Sequence, residues 1–393
     1  MDVDFIAKKF IERTTGQETE IIGCSLNSGL GVVLFNLNYA LINNDDVLKD
    51  DCLDAFEKIY SDSLSNIHQM PLSFLDGFCG IMWTYLNLIK LGIYDSKSED
   101  FSITDQLFID KIKDAKEQGN YDLFYGFLGY GLYFIERSSI DSECNKYLNQ
   151  IVDLLEEIAI EDDKGVYWMD SFHKDKGIIN MGMAHGIPSI ISFLCKVYKS
   201  TQYRKALDLA FKAAYWMIDK KGRVENGLSI FPQSIVIDQL NNDIFKHGSR
   251  LAWCYGDLPI AVAFLSLNEL QRDEKVWATA NEIITISTDR TLENDNTGIK
   301  DMGICHGVAG IYHLYNKLEK LIENRNLTRS KDYWFNVLTR GLELEYYYAQ
   351  MYSKDEEYKS DDVGLLCGYS GIGLTLLNTK NDTYNYWGKI FML

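Results

Sequence analysis

A short glycine-centred knot recurs seven times along the chain, each time ahead of an apolar run. The knots read SLNSGLGVVLF from Ser25, LDGFCGIMW from Leu75, FYGFLGYGLYF from Phe124, MAHGIPSIISF from Met183, WCYGDLPIAVAF from Trp253, ICHGVAGIYHL from Ile304 and LLCGYSGIGLTLL from Leu365. Anchored at Leu26, Gly77, Gly126, Gly186, Gly256, Gly307 and Gly368, they lie 51, 49, 60, 70, 51 and 61 residues apart. A sequence period of this length is the mark of a repeat architecture. About 55 residues accommodate two helices of moderate length and their connections.

The segments between the knots read as helices. Only four prolines occur in 393 residues, and proline breaks helix interiors. Cys52, Ala55, Phe56, Ile59 and Tyr60 fall at helical spacing, as do Tyr203, Ala206, Leu207, Ala210 and Phe211, and Ile151, Leu154, Leu155 and Ile158. Each set is one apolar stripe on an otherwise polar helix. The runs after the knots, such as IPSIISFLCKVY, are apolar on most faces, so those helices are buried. No long alternating segment argues for a sheet. The expected fold is all-α. It is an α/α toroid of seven inner and seven outer helices, forming one domain over residues 1–393. An open solenoid of the same pairs is the alternative; the limited number of units favours closure. In a toroid all seven knots share one end, where the inner-helix N-termini offer free N–H groups and positive dipole ends.

Composition narrows the function. Asp and Glu outnumber Lys and Arg 57 to 39, a formal charge of −18. Such a surface repels phosphate backbones, which argues against nucleic acid, and attracts cationic partners. No apolar run reaches the length of a transmembrane helix, and MDVDFIAKKF does not read as a signal peptide, so a cytoplasmic location is expected. Eight cysteines in such a chain point to thiols or ligands rather than disulfides. The chain has no CxxC, HExxH, P-loop, GxSxG or GxGxxG motif.

The knots are not equivalent. Cys254 precedes Tyr255-Gly256 in the fifth, Cys305-His306 precedes Gly307 in the sixth, and His185 precedes Gly186 in the fourth. Knots aligned in space bring these side chains to one rim. Two thiolates and an imidazole are a soft donor set suited to zinc. Three protein ligands leave a catalytic position open. Cys367 or Cys79 would supply the fourth ligand of a closed structural site. Cys24, Cys52, Cys144 and Cys195 read as small buried hydrophobes, and His313 reads as a core histidine. His68, His173 and His247 read as loop residues without a role.

WCYG (Trp253 to Gly256), CHGVAG (Cys305 to Gly310) and AHGIP (Ala184 to Pro188) together resemble the lanthionine synthetase C family, the lantibiotic cyclases and their LanC-like relatives. The resemblance extends over nearly the whole chain. It implies one catalytic zinc on Cys254, Cys305 and His306. It also implies thioether ring closure, in which a peptide cysteine adds to a dehydroalanine or dehydrobutyrine. The same resemblance makes His185 the acid/base, with Asp122 orienting it, Arg250 stabilising the enolate or steering the peptide, and Tyr255 lining the site. Its implied partners are a dehydrated precursor peptide and a separate dehydratase. LanC-like relatives that add glutathione to dehydroamino acids in damaged proteins are the alternative, as is a peptide-binding toroid with a structural zinc. Two positions depart from the family pattern: Pro259 and Ser189 stand where glycines are usual, changes expected to alter loop flexibility near the mouth.

Overall fold

The computed structural model describes residues 3–15, 23–95, 100–222, 229–240, 245, 248–294, 297–299, 301–343 and 363–393. Among the described residues fourteen α-helices, numbered in chain order, alternate between two roles. The outer ones are α1 (Val3–Thr15), α3 (Asp46–Ser65), α5 (Ser102–Glu117), α7 (Asn145–Ile158), α9 (Arg204–Asp219), α11 (Glu274–Thr288) and α13 (Arg325–Glu343). The inner ones are α2 (Gly29–Asn43), α4 (Phe78–Lys90), α6 (Phe127–Ser138), α8 (Ile187–Thr201), α10 (Asp257–Leu270), α12 (Val308–Leu321) and α14 (Tyr369–Asn378). This is the expected α/α toroid of seven inner and seven outer helices.

The sequence patterns explain the two roles. Outer helices bury one stripe: Cys52, Phe56 and Ile59 on α3, and Leu148, Ile151, Val152 and Leu155 on α7. Inner helices bury nearly every face, and α8 is buried continuously from Ile187 to Cys195. Neighbouring inner helices pack in the order α4, α6, α8, α10, α12, α14 and back to α2.

Six of the seven inner helices are capped by the glycine of their knot in extended conformation, and α2 is capped by Ser28. Glycine three residues after the cap lets the backbones close. A Cβ on Gly310 would stand 1.9 Å from the Ile304 carbonyl oxygen, and one on Gly371 2.0 Å from that of Leu365. Pro259 and Ser189 occupy the equivalent places in α10 and α8, inside the first helical turn rather than in a loop. Proline is tolerated there because the first helical N–H groups have no intrahelical acceptor. The buried Ser189 instead turns its hydroxyl onto the Gly186 carbonyl at 2.8 Å.

Backbone hydrogen bonds stitch the knots into a ring. Leu26 donates to Leu75, Phe74 to Phe124, Ala184 to Cys254, Cys254 to Cys305, Cys305 to Leu366, and Leu365 to Leu26. The last of these closes the circle and excludes the open solenoid. Among the described residues no backbone bond joins the third knot to the fourth; side chains bridge that seam.

Two antiparallel ribbons interrupt the helices. β1 (Ile160–Asp162) pairs with β2 (Gly165–Tyr167), and β3 (Ile178–Asn180) with β4 (Ser234–Val236). They lie in the stretches around α8 and α9 that make the third and fourth knot spacings long. The chain ends in a 3₁₀ segment, Asp382–Phe391, that runs through the lumen. Its Tyr386 hydroxyl accepts from Asn38 of α2 at 3.1 Å, and its Trp387 ring lies 4.9 Å from His313 of α12. Lys389 reaches Glu136 of α6 at 3.0 Å, and the Phe391 carbonyl accepts from the Trp253 indole at 3.0 Å.

Candidate active site

The rim of knots gathers a thiol cluster. Ligand atoms of Cys254, Cys305 and His306 all lie within 4.8 Å of one another. Local folding brings them there: Cys254 and Cys305 follow the buried Trp253 and Ile304, and all three stand one or two residues before a capping glycine, so they sit at the head of inner helices. Cys254 is buried and its two companions half-buried. Hydrogen bonds from Cys305 and His306, helped by the charge of Arg250, hold the Cys254 thiol below its ordinary pKa against the cost of burial. The proton stays on Cys305, whose pKa rises because it donates to Cys254 and is buried. His306 is pushed up to about 9, first by Asp301 and then by Cys254.

Asp301 is a residue the sequence reading missed. It is buried, and its Oδ2 lies 2.7 Å from His306 Nε2 while its Oδ1 accepts the Gly303 N–H at 2.7 Å. Nε2 is thereby taken, which leaves Nδ1 for a metal. A carboxylate behind a ligating imidazole fixes its tautomer and raises its basicity. The signal was an acidic residue four positions before the Cys-His pair, inconspicuous among 57 acids.

Donor chemistry fits a thiophilic ion. Two sulfurs, one imidazole nitrogen and no carboxylate in the set suit zinc. Cys367 falls in a second, overlapping group with Asp301 and His306 rather than in the three-ligand set. Cys79 is fully buried and turns its thiol toward the Gly129 carbonyl at 3.7 Å, so it belongs to the core. Cys52, Cys144 and Cys195 are buried thiols with raised pKa values, and Cys24 packs half-buried against the core.

Beside the thiols stands a second constellation. His185 Nδ1 lies 2.5 Å from Asp122 Oδ2, and this pair bridges the seam between the third and fourth knots. Asp122 is fully buried, and its Oδ1 accepts the N–H groups of Phe124 and Tyr125, both at 2.9 Å. Burial disfavours the imidazolium, but the hydrogen bond and charge of Asp122 outweigh it and raise the His185 pKa. The imidazole remains 27% exposed, with its Nδ1 engaged by Asp122. Cys254 adds to the field at His185, which links the two constellations.

Tyr255, beside Cys254 in sequence, has its ring 6.3 Å from His185. Its hydroxyl accepts from Asn180 Nδ2 at 3.1 Å, and the same amide donates to the buried Asp170 at 2.7 Å. Asn180 and Asp170 thus support the site without a sequence motif to reveal them. Phe172 lies 5.7 Å from His185 and is 49% exposed, an aromatic wall on the mouth. His313 is buried in the core, His173 is exposed with its ring on Asp170, and His68 lies in a turn. His247 lies outside the described residues.

The molecule is therefore an α/α toroid with a cluster of soft donors that could hold a metal, and a carboxylate-oriented histidine, on one rim. The chain belongs to the lanthionine synthetase C-like protein family, which it matches over residues 20–392. Among solved structures it is similar to nisin cyclase, at a TM-score of 0.75 and 20% identity, over 99% of this chain and 96% of that one. No curated protein matches it by sequence. Among the described residues no helix is long and apolar enough to cross a membrane.

Proposed function

We propose that the protein is a zinc-dependent lanthionine cyclase. On this reading it closes thioether rings by adding a peptide cysteine to dehydroalanine or dehydrobutyrine in a precursor peptide. The carrying observation is the adjacency of two sets on one rim: the Cys254, Cys305 and His306 donors, and the Asp122–His185 pair.

Cys254, Cys305 and His306 would hold the ion, with Asp301 fixing the tautomer of His306. A bound zinc keeps a substrate thiol, ordinarily of pKa near 8.5, as thiolate at neutral pH. The sulfur forms a bond to the β-carbon of the dehydro residue, and the alkene electrons move onto the carbonyl as an enolate. Arg250 offers its cation to that developing charge. His185, kept protonated by Asp122, delivers a proton to the α-carbon from Nε2. The proton gained by carbon balances the one lost by the thiol, and solvent restores the imidazolium. Tyr255 and Phe172 wall the mouth against the peptide backbone.

The whole chain, 1–393, acts on this reading as one toroid domain in the cytoplasm. A separate dehydratase supplies the unsaturated peptide, and the acidic surface favours a cationic substrate.

The test is zinc per chain by elemental analysis with ring formation on a dehydrated peptide, in the parent and in Cys305→Ala. About one zinc and full cyclisation in the parent, with both lost in the variant, is the expected outcome. Full ring formation by Cys305→Ala would end the proposal. A Cys367→Ala variant that loses zinc equally would move the reading to a closed structural site.

A further inference from the structure

The seam between the third and fourth knots is the one place in the ring where, among the described residues, no backbone hydrogen bond runs from knot to knot. Asp122 and His185 face each other across it at 2.5 Å. A bond between two side chains fixes their separation. It does not fix their place relative to Cys254 in the fifth knot, which packing has to set. Buried rings supply that packing. Phe124 of the third knot and Trp253 of the fifth lie 5.8 Å apart, ring to ring. Phe124 engages both members of the pair: its ring stands nearly perpendicular to that of His185 at 6.5 Å, and its N–H donates to Asp122 Oδ1 at 2.9 Å. Trp253 is joined directly to Cys254 in sequence.

Phe391 of the C-terminal segment braces these rings from the lumen. Its carbonyl accepts the Trp253 indole N–H at 3.0 Å, and its ring meets the indole at 5.0 Å and 87°. A hydrogen bond and an edge-to-face contact together fix the plane and the direction of the indole. Trp387 backs Phe391 in turn, 6.0 Å away at 83°, and itself packs on His313 of α12 at 4.9 Å. Phe391, Trp253 and Phe124 are thus a continuous run of buried rings from the C-terminal segment to the Asp122–His185 pair. Close-packed interiors transmit a displacement rather than absorb it.

We infer that Phe391 is a positioning residue for the rim, acting through Trp253 and Phe124 to set the Asp122–His185 pair against Cys254. What the pair does chemically rests on the cyclase reading; the packing relation does not. A misplacement of about 1 Å at a reacting group costs about 100-fold in rate. Loss of the Phe391 ring frees the indole on one side, and Phe124 relaxes with it. The peptide meets Tyr255 and Phe172 at the mouth, which this change leaves alone, so the loss falls on kcat rather than on KM.

The experiment compares the parent with Phe391→Leu, which keeps most of the buried volume but removes the ring. Ile390→Val, in the same segment and equally buried, controls for general loosening. The first readout is the low-field proton resonance of His185 Nδ1–H in the bond to Asp122, identified by its loss in His185→Gln. In Phe391→Leu it moves upfield and broadens, and in Ile390→Val it stays in place. The second readout is ring closure on a dehydrated peptide: kcat falls about 10- to 100-fold in Phe391→Leu with KM within about twofold and zinc content unchanged. Phe391→Met, flexible and without a ring, decides on the same terms if Phe391→Leu fails to fold. An unmoved resonance in Phe391→Leu, or an equal change in Ile390→Val, overturns the inference. So does an unchanged kcat in a protein that closes rings. A parent that closes no rings overturns the cyclase reading alone, and the resonance still decides the role of Phe391.

Discussion

Asp301→Asn isolates the support behind the metal site. The buried carboxylate makes two contacts, Oδ2 to His306 Nε2 at 2.7 Å and Oδ1 to the Gly303 N–H at 2.7 Å. An asparagine keeps the second contact through its carbonyl oxygen, so the turn ahead of Cys305 survives. The first contact is inverted, because an amide N–H facing Nε2 favours the tautomer with hydrogen on Nδ1. That is the nitrogen a metal needs. Loss of such a supporting carboxylate costs about 10- to 100-fold in metal affinity, or about 1.4–2.7 kcal/mol. The assay is competition for zinc against a chromogenic chelator at pH 7, with the parent and Asp301→Asn side by side. Circular dichroism verifies that the helices are intact. An affinity within twofold of the parent's would refute the assignment of Nδ1 as the ligand atom and of Asp301 as its support.

Zinc binding at pH 7 displaces about two protons, one from Cys305 and one from His306, because Cys254 is already the thiolate of its pair. Apparent affinity therefore rises about 100-fold per pH unit around neutrality, and calorimetry in buffers of different ionisation enthalpy counts the protons; a count of zero contradicts the shared-proton arrangement. Asp122→Asn retains the bonds to Phe124 and Tyr125 but removes the charge that raises His185, so cyclisation slows by about 10²–10⁴ and its basic limb moves to lower pH. In the parent, the raised His185 pKa stabilises the fold fully below the ordinary value of 6.5, and the contribution fades as pH rises through the folded value; urea melts of the pair should therefore differ more at pH 5.5 than at pH 9. Gly310→Ala drives a Cβ against the Ile304 carbonyl and destabilises by about 1–3 kcal/mol in urea denaturation, whereas unchanged stability would show that the sixth knot has room.

The repeat made the architecture legible before any coordinates. Glycine spacing, one-stripe helices and all-round apolar helices leave few arrangements besides two concentric rings, because each helix must hide its apolar surface and the seven knots must share an end. The soft donors were legible for a similar reason: Cys254, Cys305 and His306 each stand within two residues of a knot glycine, so their repeat positions fix their place on the rim. Asp122 and Arg250 were legible only through the family resemblance, since nothing in their local sequence distinguishes them from surface residues.

Tertiary structure decided the remainder. Closure rests on the bond from Leu365 to Leu26, between residues 339 positions apart, which no local pattern encodes. Asp301 became a partner of His306, and Asn180 of Tyr255, because a turn and a ribbon bring short polar side chains within hydrogen-bond reach. The C-terminal segment runs through the lumen and brings Lys389 to Glu136, a contact between distant repeats. Periodicity records which face of a helix is buried, so sequence alone determined the rings and the rim. Pairing across the lumen depends on side chains from distant repeats meeting at one depth, and only the assembled toroid fixes that.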